Sequence, residues 1–306
     1  MTLFIFYGSY LYLPFLALCA AIIVRYKGAL RILAALALIP PTVLAYARFV
    51  EPRILNITEA EIVLPEASKT SPSIRVALFS DTHHGVFQNA MPMRRIVAKV
   101  KKQKPDAVFI AGDFVYQIKP EDLAKALAPL QEFDVQVFAV LGNHDIGKPG
   151  TNFSAELASA LNQLDVTLLD NRVVEANIGG ANILVGGAAD IWARWPIFAK
   201  FPDIPNDKPF LLLAHNPDAA LIAPDALEYD LMLAGHTHGG QIRIPFLYKR
   251  VLPTIYPFDK GLHTFAEGNI ERLVYVTPGT GMVDLPFRFN MPPRIDMLTI
   301  RLPETP

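Results

Sequence analysis

Apolar residues are unevenly spread along this chain. Residues 3–24 contain no charged side chain and are rich in Leu, Ile, Phe, Tyr and Ala. As a helix rising 1.5 Å per residue they would reach about 33 Å, enough to cross the hydrocarbon core of a bilayer. Arg25, Lys27 and Arg31 interrupt, and residues 32–47 form a second charge-free run. That run extends to about Val50 if Arg48 snorkels toward headgroups. The pattern predicts a transmembrane helical hairpin over residues 1–50, with helices of about 3–24 and 32–50. Pro40-Pro41 should kink the second. A cleaved signal peptide fits less well, because no Lys or Arg precedes the first run, and Leu18 stands where a lipidated Cys19 would need a small residue. Two adjacent long runs also exceed what the core of a soluble protein needs.

Residues 51–73, with Pro52, Pro65 and Pro72, read as a linker holding one short strand around Glu61–Leu64. From Ile74 to the end, over 74–306, short apolar runs alternate with helical spacing. Strands are predicted at Ile74–Phe79, Ala107–Ala111, Val135–Leu141, Phe210–Ala214, Tyr229–Ala234, Arg272–Thr277 and Ile295–Leu302. Helices are predicted at Met91–Lys102, Asp122–Leu130 and Ser154–Leu164. Residues 166–187 hold strand-like runs broken by Gly179-Gly180, which reads as a hairpin. The alternation predicts an α/β domain with strands covered on both faces.

Charge adds little: Lys+Arg number 28 and Asp+Glu 29 in 306 residues, so no nucleic-acid partner is expected. Cys19 is the only cysteine, which excludes an intramolecular disulfide and any thiolate cluster.

The chemistry lies where the apolar runs stop. Ile74–Phe79 ends at Ser80-Asp81-Thr82-His83-His84-Gly85; Val108–Ala111 at Gly112-Asp113; Val137–Leu141 at Gly142-Asn143-His144-Asp145. Phe210–Leu213 ends at Ala214-His215-Asn216, and Leu231–Ala234 at Gly235-His236-Thr237-His238. Alone, each block is an ordinary turn or polar loop. Together, on one sheet edge where open α/β folds present their ligand loops, they bring Asp81, His83, Asp113, Asn143, His215, His236 and His238 to one place. Seven O/N donors are too many for one tetrahedral ion. Two ions sharing one carboxylate account for the number, and an ion pair about 3.5–4 Å apart is the usual arrangement for in-line displacement at phosphorus. The donor set suits Mn, Fe, Zn or Co.

In order and spacing these blocks resemble the calcineurin-like metallophosphoesterase superfamily. Gly239-Gly240-Gln241-Ile242-Arg243-Ile244-Pro245, Thr277-Pro278-Gly279-Thr280-Gly281 and Pro286-Phe287-Arg288-Phe289 resemble its membrane-associated bacterial branch. The resemblance implies a two-sheet β sandwich flanked by helices, an α/β (α+β) fold. It makes Asp81, His83 and His238 ligands of one metal, Asn143, His215 and His236 ligands of the other, and Asp113 the bridge. His144 corresponds to the catalytic histidine, with Asp145 orienting its ring, and a metal-bridging hydroxide attacks phosphorus.

The sequence departs from the family at Tyr116, where a second acid often stands. His84 is an additional histidine, read as a loop residue or a neighbour of the ligands or substrate, and His263 has no motif context. Trp192 and Trp195 read as core, with the bilayer interface or an apolar leaving group as the alternative. Arg243, Lys249 and Arg250 read as surface charges, with a substrate phosphate as the alternative.

The expected function is membrane-anchored hydrolysis of a phosphomonoester or phosphodiester, with an amphiphilic substrate among the candidates and the lipid bilayer as partner. The rivals are a pyrophosphate hydrolase acting on a nucleotide-linked lipid such as UDP-diacylglucosamine, and a non-catalytic membrane receptor that keeps the fold. Arg25, Lys27 and Arg31 mark the loop between the helices as cytoplasmic. By the positive-inside tendency, that puts the catalytic domain outside the cytoplasm of a multi-pass protein of the bacterial cell membrane.

Overall fold

The computed structural model describes residues 2–87, 90–192, 198, 201, 208–267 and 270–303. The chain opens with helices α1 (Thr2–Gly8), α2 (Tyr12–Arg25) and α3 (Ala29–Ala45). With the short turns that join and extend them, they make two apolar helical stretches, Leu3–Arg25 of 23 residues and Ala29–Arg53 of 25. These pack against each other as a hairpin and leave most of their surface uncovered by protein. Such a surface suits lipid rather than water, so the chain is membrane-associated. Helix α3 runs through Pro40-Pro41 and ends in a single π turn, Tyr46–Val50.

Fourteen strands follow among the described residues: β1 (Asn56–Val63), β2 (Ser73–Phe79), β3 (His84–Gly85), β4 (Ala107–Ala111), β5 (Val115–Tyr116), β6 (Gln136–Val140), β7 (Val166–Leu168), β8 (Arg172–Ile178), β9 (Ala181–Gly187), β10 (Phe210–Leu213), β11 (Leu231–Ala234), β12 (Gly261–Glu267), β13 (Ile270–Val276) and β14 (Arg294–Arg301). They build one sheet of order β1-β14-β2-β4-β6-β7, another of order β12-β13-β11-β10-β9-β8, and a small β3-β5 ribbon. The period-two pattern decides which side chains go where. Ile74, Val76 and Leu78 of β2, Phe109 of β4, Leu211 and Leu213 of β10, and Leu231 and Leu233 of β11 meet between the two sheets. The alternate residues Ala77, Phe79, Val108 and Ile110 face α4 (Met93–Lys101), α5 (Pro120–Leu127) and α6 (Ser154–Gln163). The result is the expected mixed α/β architecture, two sheets flanked by helices, with the apolar hairpin in front.

Three details differ from the sequence reading. The strand expected at Glu61–Leu64 spans Asn56–Val63 and pairs in parallel with β14, the last strand of the chain. Strand β12 forms over Gly261–Glu267, where the sequence reading has no strand. The loops carrying the coordinating residues also do not share one sheet edge. β2, β4 and β6 run parallel in the first sheet, β10 and β11 run parallel in the second, and the two sets of strand ends meet across the sandwich.

Arg48 does not reach outward as the sequence suggested. It is buried at the base of the hairpin, with its guanidinium 4.4 Å from the Phe6 ring centroid and Nε donating to Ser9 Oγ at 3.0 Å. The helix end is tied to the α/β domain there. The Arg288 N–H donates to the Ala47 carbonyl at 2.9 Å, and the buried Glu51 carboxylate accepts from the Met291 N–H at 2.6 Å.

Candidate metal centre

The strand ends place their polar residues by an unusual backbone. Asp81 (φ 50°), His83 (45°), Asp113 (55°), His236 (68°) and His238 (50°) all lie in the left-handed region. At roughly 1–2 kcal/mol each, the five together would take up much of the ~5–15 kcal/mol by which a domain is stable, so the surroundings must impose them. Two glycines show how tight those surroundings are. A Cβ on Gly142 would collide with Oδ1 of Asp113, and one on Gly235 with the Ser80 hydroxyl and Asp81 Oδ2. Close backbone approach is what these Gly-Asn and Gly-His turns provide.

The side chains converge in two groups: Asp81, His83 and His238, and Asp113, His215 and His236, all six buried. In the first, His83 Nε2 and His238 Nε2 are 3.0 Å apart, and Asp81 Oδ1 is 3.4 Å from His238 Nε2. In the second, His215 Nε2 is 3.0 Å from His236 Nδ1 and 3.1 Å from Asn143 Oδ1. Asp113 links them, because its Oδ2 is 3.5 Å from His83 Nε2 and 3.3 Å from His215 Nε2.

This arrangement fits two divalent cations. Donor atoms about 2.1 Å from one ion and at right angles around it lie ~3 Å apart, the spacing seen here between imidazole nitrogens. Asp81 is held through Oδ2, which accepts from the Ser80 hydroxyl and, at 3.1 Å, from the His236 N–H, while its buried Oδ1 accepts no hydrogen bond. An unpaired carboxylate oxygen inside a protein costs several kcal/mol unless a cation takes it. His215 Nδ1 lies 2.8 Å from the Ala111 carbonyl, the contact that fixes a ligand tautomer with Nε2 facing the ion.

Three of the four histidines are held neutral. Burial lowers the pKa of His83 and of His236 to about 3, and together with the neighbouring His83 and Arg288 holds His238 well below its usual range. Neutral imidazoles leave their lone pairs free for coordination. Burial raises the Asp81 carboxyl to about 7. Burial also works against the charge of both Asp113 and His215, but their mutual attraction more than offsets it, keeping the Asp113 carboxylate ionised and holding His215 well above its usual range.

Other residues fall into place differently. The expectation that Asp145 orients the His144 ring is corrected. Its buried carboxylate accepts from the Gly142 N–H at 2.9 Å and the Val115 N–H at 3.1 Å, so it clamps the β4 and β6 loops together, and His144 Nδ1 has no hydrogen-bond partner. Tyr116, where the sequence lacks the second acid, stands edge-on to His144 and His83 at 5.0 and 5.6 Å between centroids, and its hydroxyl donates to Asp284 at 3.0 Å. His84 faces away, into a separate cavity of about 290 Å³ with Met93, Arg94 and Asp122. Arg243 is engaged with Asp259 at 2.9 Å and stacked on Tyr248, and His263 lies 3.7 Å from the same Asp259. Trp192 is half exposed with its ring 4.5 Å from that of His236, so it belongs to the rim of the centre and not to the core; Trp195 lies outside the described residues.

Three nearby residues went unnoticed or unexplained in the sequence. Asp190, just beyond β9, is a buried carboxyl whose pKa burial raises to about 6 although His215 pulls it down. Its signal was a polar residue ending Gly186-Gly187-Ala188-Ala189. Asp284 lines the cavity and carried no signal at all. Arg288 is fully buried, donates to the carbonyls of Pro278, Gly281 and Met291, and so braces the turn whose Gly281 N–H donates to the Asp81 carbonyl.

Paired metal-binding triads at the ends of strands from two facing sheets define a dinuclear metallohydrolase. Residues 74–240 match the model of the calcineurin-like phosphoesterase family, and the chain belongs to that family. It is 30% identical over 283 residues to the uncharacterized metallophosphoesterase YkuE of Bacillus subtilis, covering 90% of this chain and 96% of that one. It is 30% identical over 233 residues to phosphodiesterase YaeI of Escherichia coli, covering 74% and 82%. A transmembrane protein with metallophosphoesterase domain from Bos taurus is 29% identical over 262 residues, covering 80% of this chain and 57% of that protein. The protein is a membrane-associated, metal-dependent phosphoric ester hydrolase.

Proposed function

We propose that this enzyme hydrolyses a phosphomonoester or phosphodiester, with Asp81, His83 and His238 holding one ion, Asn143, His215 and His236 the other, and Asp113 shared. The observation that carries the reading is the position of Asp113 Oδ2, within 3.5 Å of a nitrogen from each cluster. Two ions bound there supply Lewis-acid polarisation of the phosphoryl group and a nucleophile acidified to near-neutral pKa. The chain's own part centres on His144. Its N–H donates to Asp113 Oδ1 at 2.9 Å, which fixes its backbone beside the shared carboxylate. Its ring lies on the wall of a cavity of about 370 Å³ and is boxed by Tyr116 and His83. From there an imidazolium can give its proton to the departing oxygen. Ile242, Val283 and Leu285 make much of the remaining wall apolar. The likeness to a protein named a phosphodiesterase favours the diester. Full-length protein loaded with Mn, Fe, Zn or Co should cleave bis(p-nitrophenyl) phosphate faster than p-nitrophenyl phosphate. The reverse order would make it a monoesterase, and no turnover of either with any metal would reject the reading.

We further infer that the chain belongs to the membrane-associated bacterial branch, with a membrane hairpin at 1–50 and a catalytic domain at 74–306, whose first sheet the stretch 51–73, expected to be a linker, completes through β1. The domain lies outside the cytoplasm. Arg25, Lys27 and Arg31 flank the hairpin loop, whereas Arg48 is buried against Phe6 and Ser9, which leaves Arg53 as the basic residue at the exit. That topology sets aside a nucleotide-linked lipid made in the cytoplasm. Alkaline phosphatase fused after Pro306 should be active and a cytoplasm-dependent fluorescent protein dark; the opposite pair of results would reverse the topology.

A further inference from the structure

The segment from Ile244 to Ile255 leaves the turn that carries His238 and returns beside the cavity at Pro253. Its apolar side chains point into solvent: Phe246 is 91% exposed, Ile255 86% and Val251 72%, with Ile244 and Leu247 about half exposed. Among the described residues after Arg53, five of the nine exposed large hydrophobic side chains sit in this one loop. A concentration of that kind marks an interaction surface, not an ordinary protein exterior.

The bilayer is the occupant the loop suits. Lys249 and Arg250, also exposed, sit among the apolar residues, and no acid occurs from Gly239 to Phe258. Apolar side chains with interspersed cations are the composition of interfacial segments that meet anionic lipid. The loop is also continuous with the hairpin. At its root Ile242 bridges to Phe289, with the Arg243 N–H donating to the Phe289 carbonyl at 2.8 Å. The adjacent Arg288 donates to Ala47, at the end of the second apolar helix. The root of the loop is thus joined to the end of the hairpin through one strand bridge and one further backbone hydrogen bond.

We propose that Ile244–Ile255 is a second membrane contact, which seats the mouth of the metal cavity on the bilayer. Ile242, Val251 and Pro253 line that cavity together with Asp113, His144 and His236. Seated this way, it takes a phosphoester presented by the membrane, an amphiphile whose phosphate enters while its apolar part follows Ile242, Val251 and Leu285. The membrane contact stands on its own; the substrate class rests on the phosphoesterase reading.

The test uses the full chain in nanodiscs of phosphatidylethanolamine and phosphatidylglycerol. In a Cys19→Ser background, an environment-sensitive fluorophore is placed at Phe246→Cys and, as reference, at Asn177→Cys, at the end of the β8-β9 hairpin away from the site. Lipids spin-labelled near the headgroup should quench the first several-fold more than the second. Equal quenching would overturn the contact, as would a particle mass showing that Phe246→Ser dissolves a dimer, since the surface would then be a subunit interface. For the substrate, Phe246→Ser/Ile255→Ser should lower kcat/KM about 10-fold or more on a long-chain phosphodiester carried in vesicles and leave bis(p-nitrophenyl) phosphate unchanged. Loss on both substrates, or on neither, would overturn membrane presentation. If the wild-type protein cleaved neither substrate, the phosphoesterase reading would fail while the quenching result kept its meaning.

Discussion

Asp113→Ala is expected to abolish hydrolysis and to empty both metal positions in a chain that still folds. The reason is geometric. Among the described residues, Asp113 Oδ2 is the one carboxylate oxygen within 3.5 Å of nitrogens from both clusters, while Oδ1 accepts the His144 N–H. Removing it takes away shared negative charge and leaves His83, His215 and His236 facing one another with less to offset two cations. A neighbour such as His236→Ala should deplete one position more than the other. Elemental analysis after gel filtration distinguishes these outcomes, and two ions per chain retained in folded Asp113→Ala would show that the carboxylate is not shared.

His144→Ala should behave in the opposite way, keeping both ions while turnover falls by roughly 10²- to 10⁴-fold, the range for losing a general acid. The ring touches His83 and Tyr116 edge-on but is absent from both metal-binding groups, so metal affinity and chemistry should separate at this residue. The loss should shrink on substrates whose leaving group needs no proton. An ester of p-nitrophenol and one of a simple alcohol, compared with wild type and variant, give the discriminating ratio. An equal loss on both would remove His144 from proton transfer, and loss of metal would make it a ligand.

Much of the site could be read from the chain because its chemistry is local to strand ends. The switch from a buried run such as Val108–Ala111 to Gly112-Asp113 announces both the strand and the turn, and the blocks repeat that switch in a fixed order. What could not be read is what depends on segments far apart in sequence. Asp145 adjoins His144, and proximity suggested a partnership, but the fold brings Val115 and Gly142 to its oxygens instead. Tyr116 looked like a missing acid until Asp284, 168 residues away, was seen to accept its hydroxyl. Nothing near Arg48 shows that Phe6 and Ser9 close over it. The division of the coordinating loops between two sheets was also hidden, since parallel strands of either sheet carry the same buried pattern. Strand β12 escaped because Gly261–Glu267 mixes polar and apolar residues at an edge, paired only to β13.

The central claim is that two ions act together in one hydrolytic centre. Its most direct test is to strip the full-length protein of metal, return Mn or Zn stepwise, and measure bound metal and bis(p-nitrophenyl) phosphate hydrolysis on the same samples. Activity should stay low to about one ion per chain and then rise to a maximum at two. Full activity at one ion per chain, or in the stripped protein, would contradict the claim.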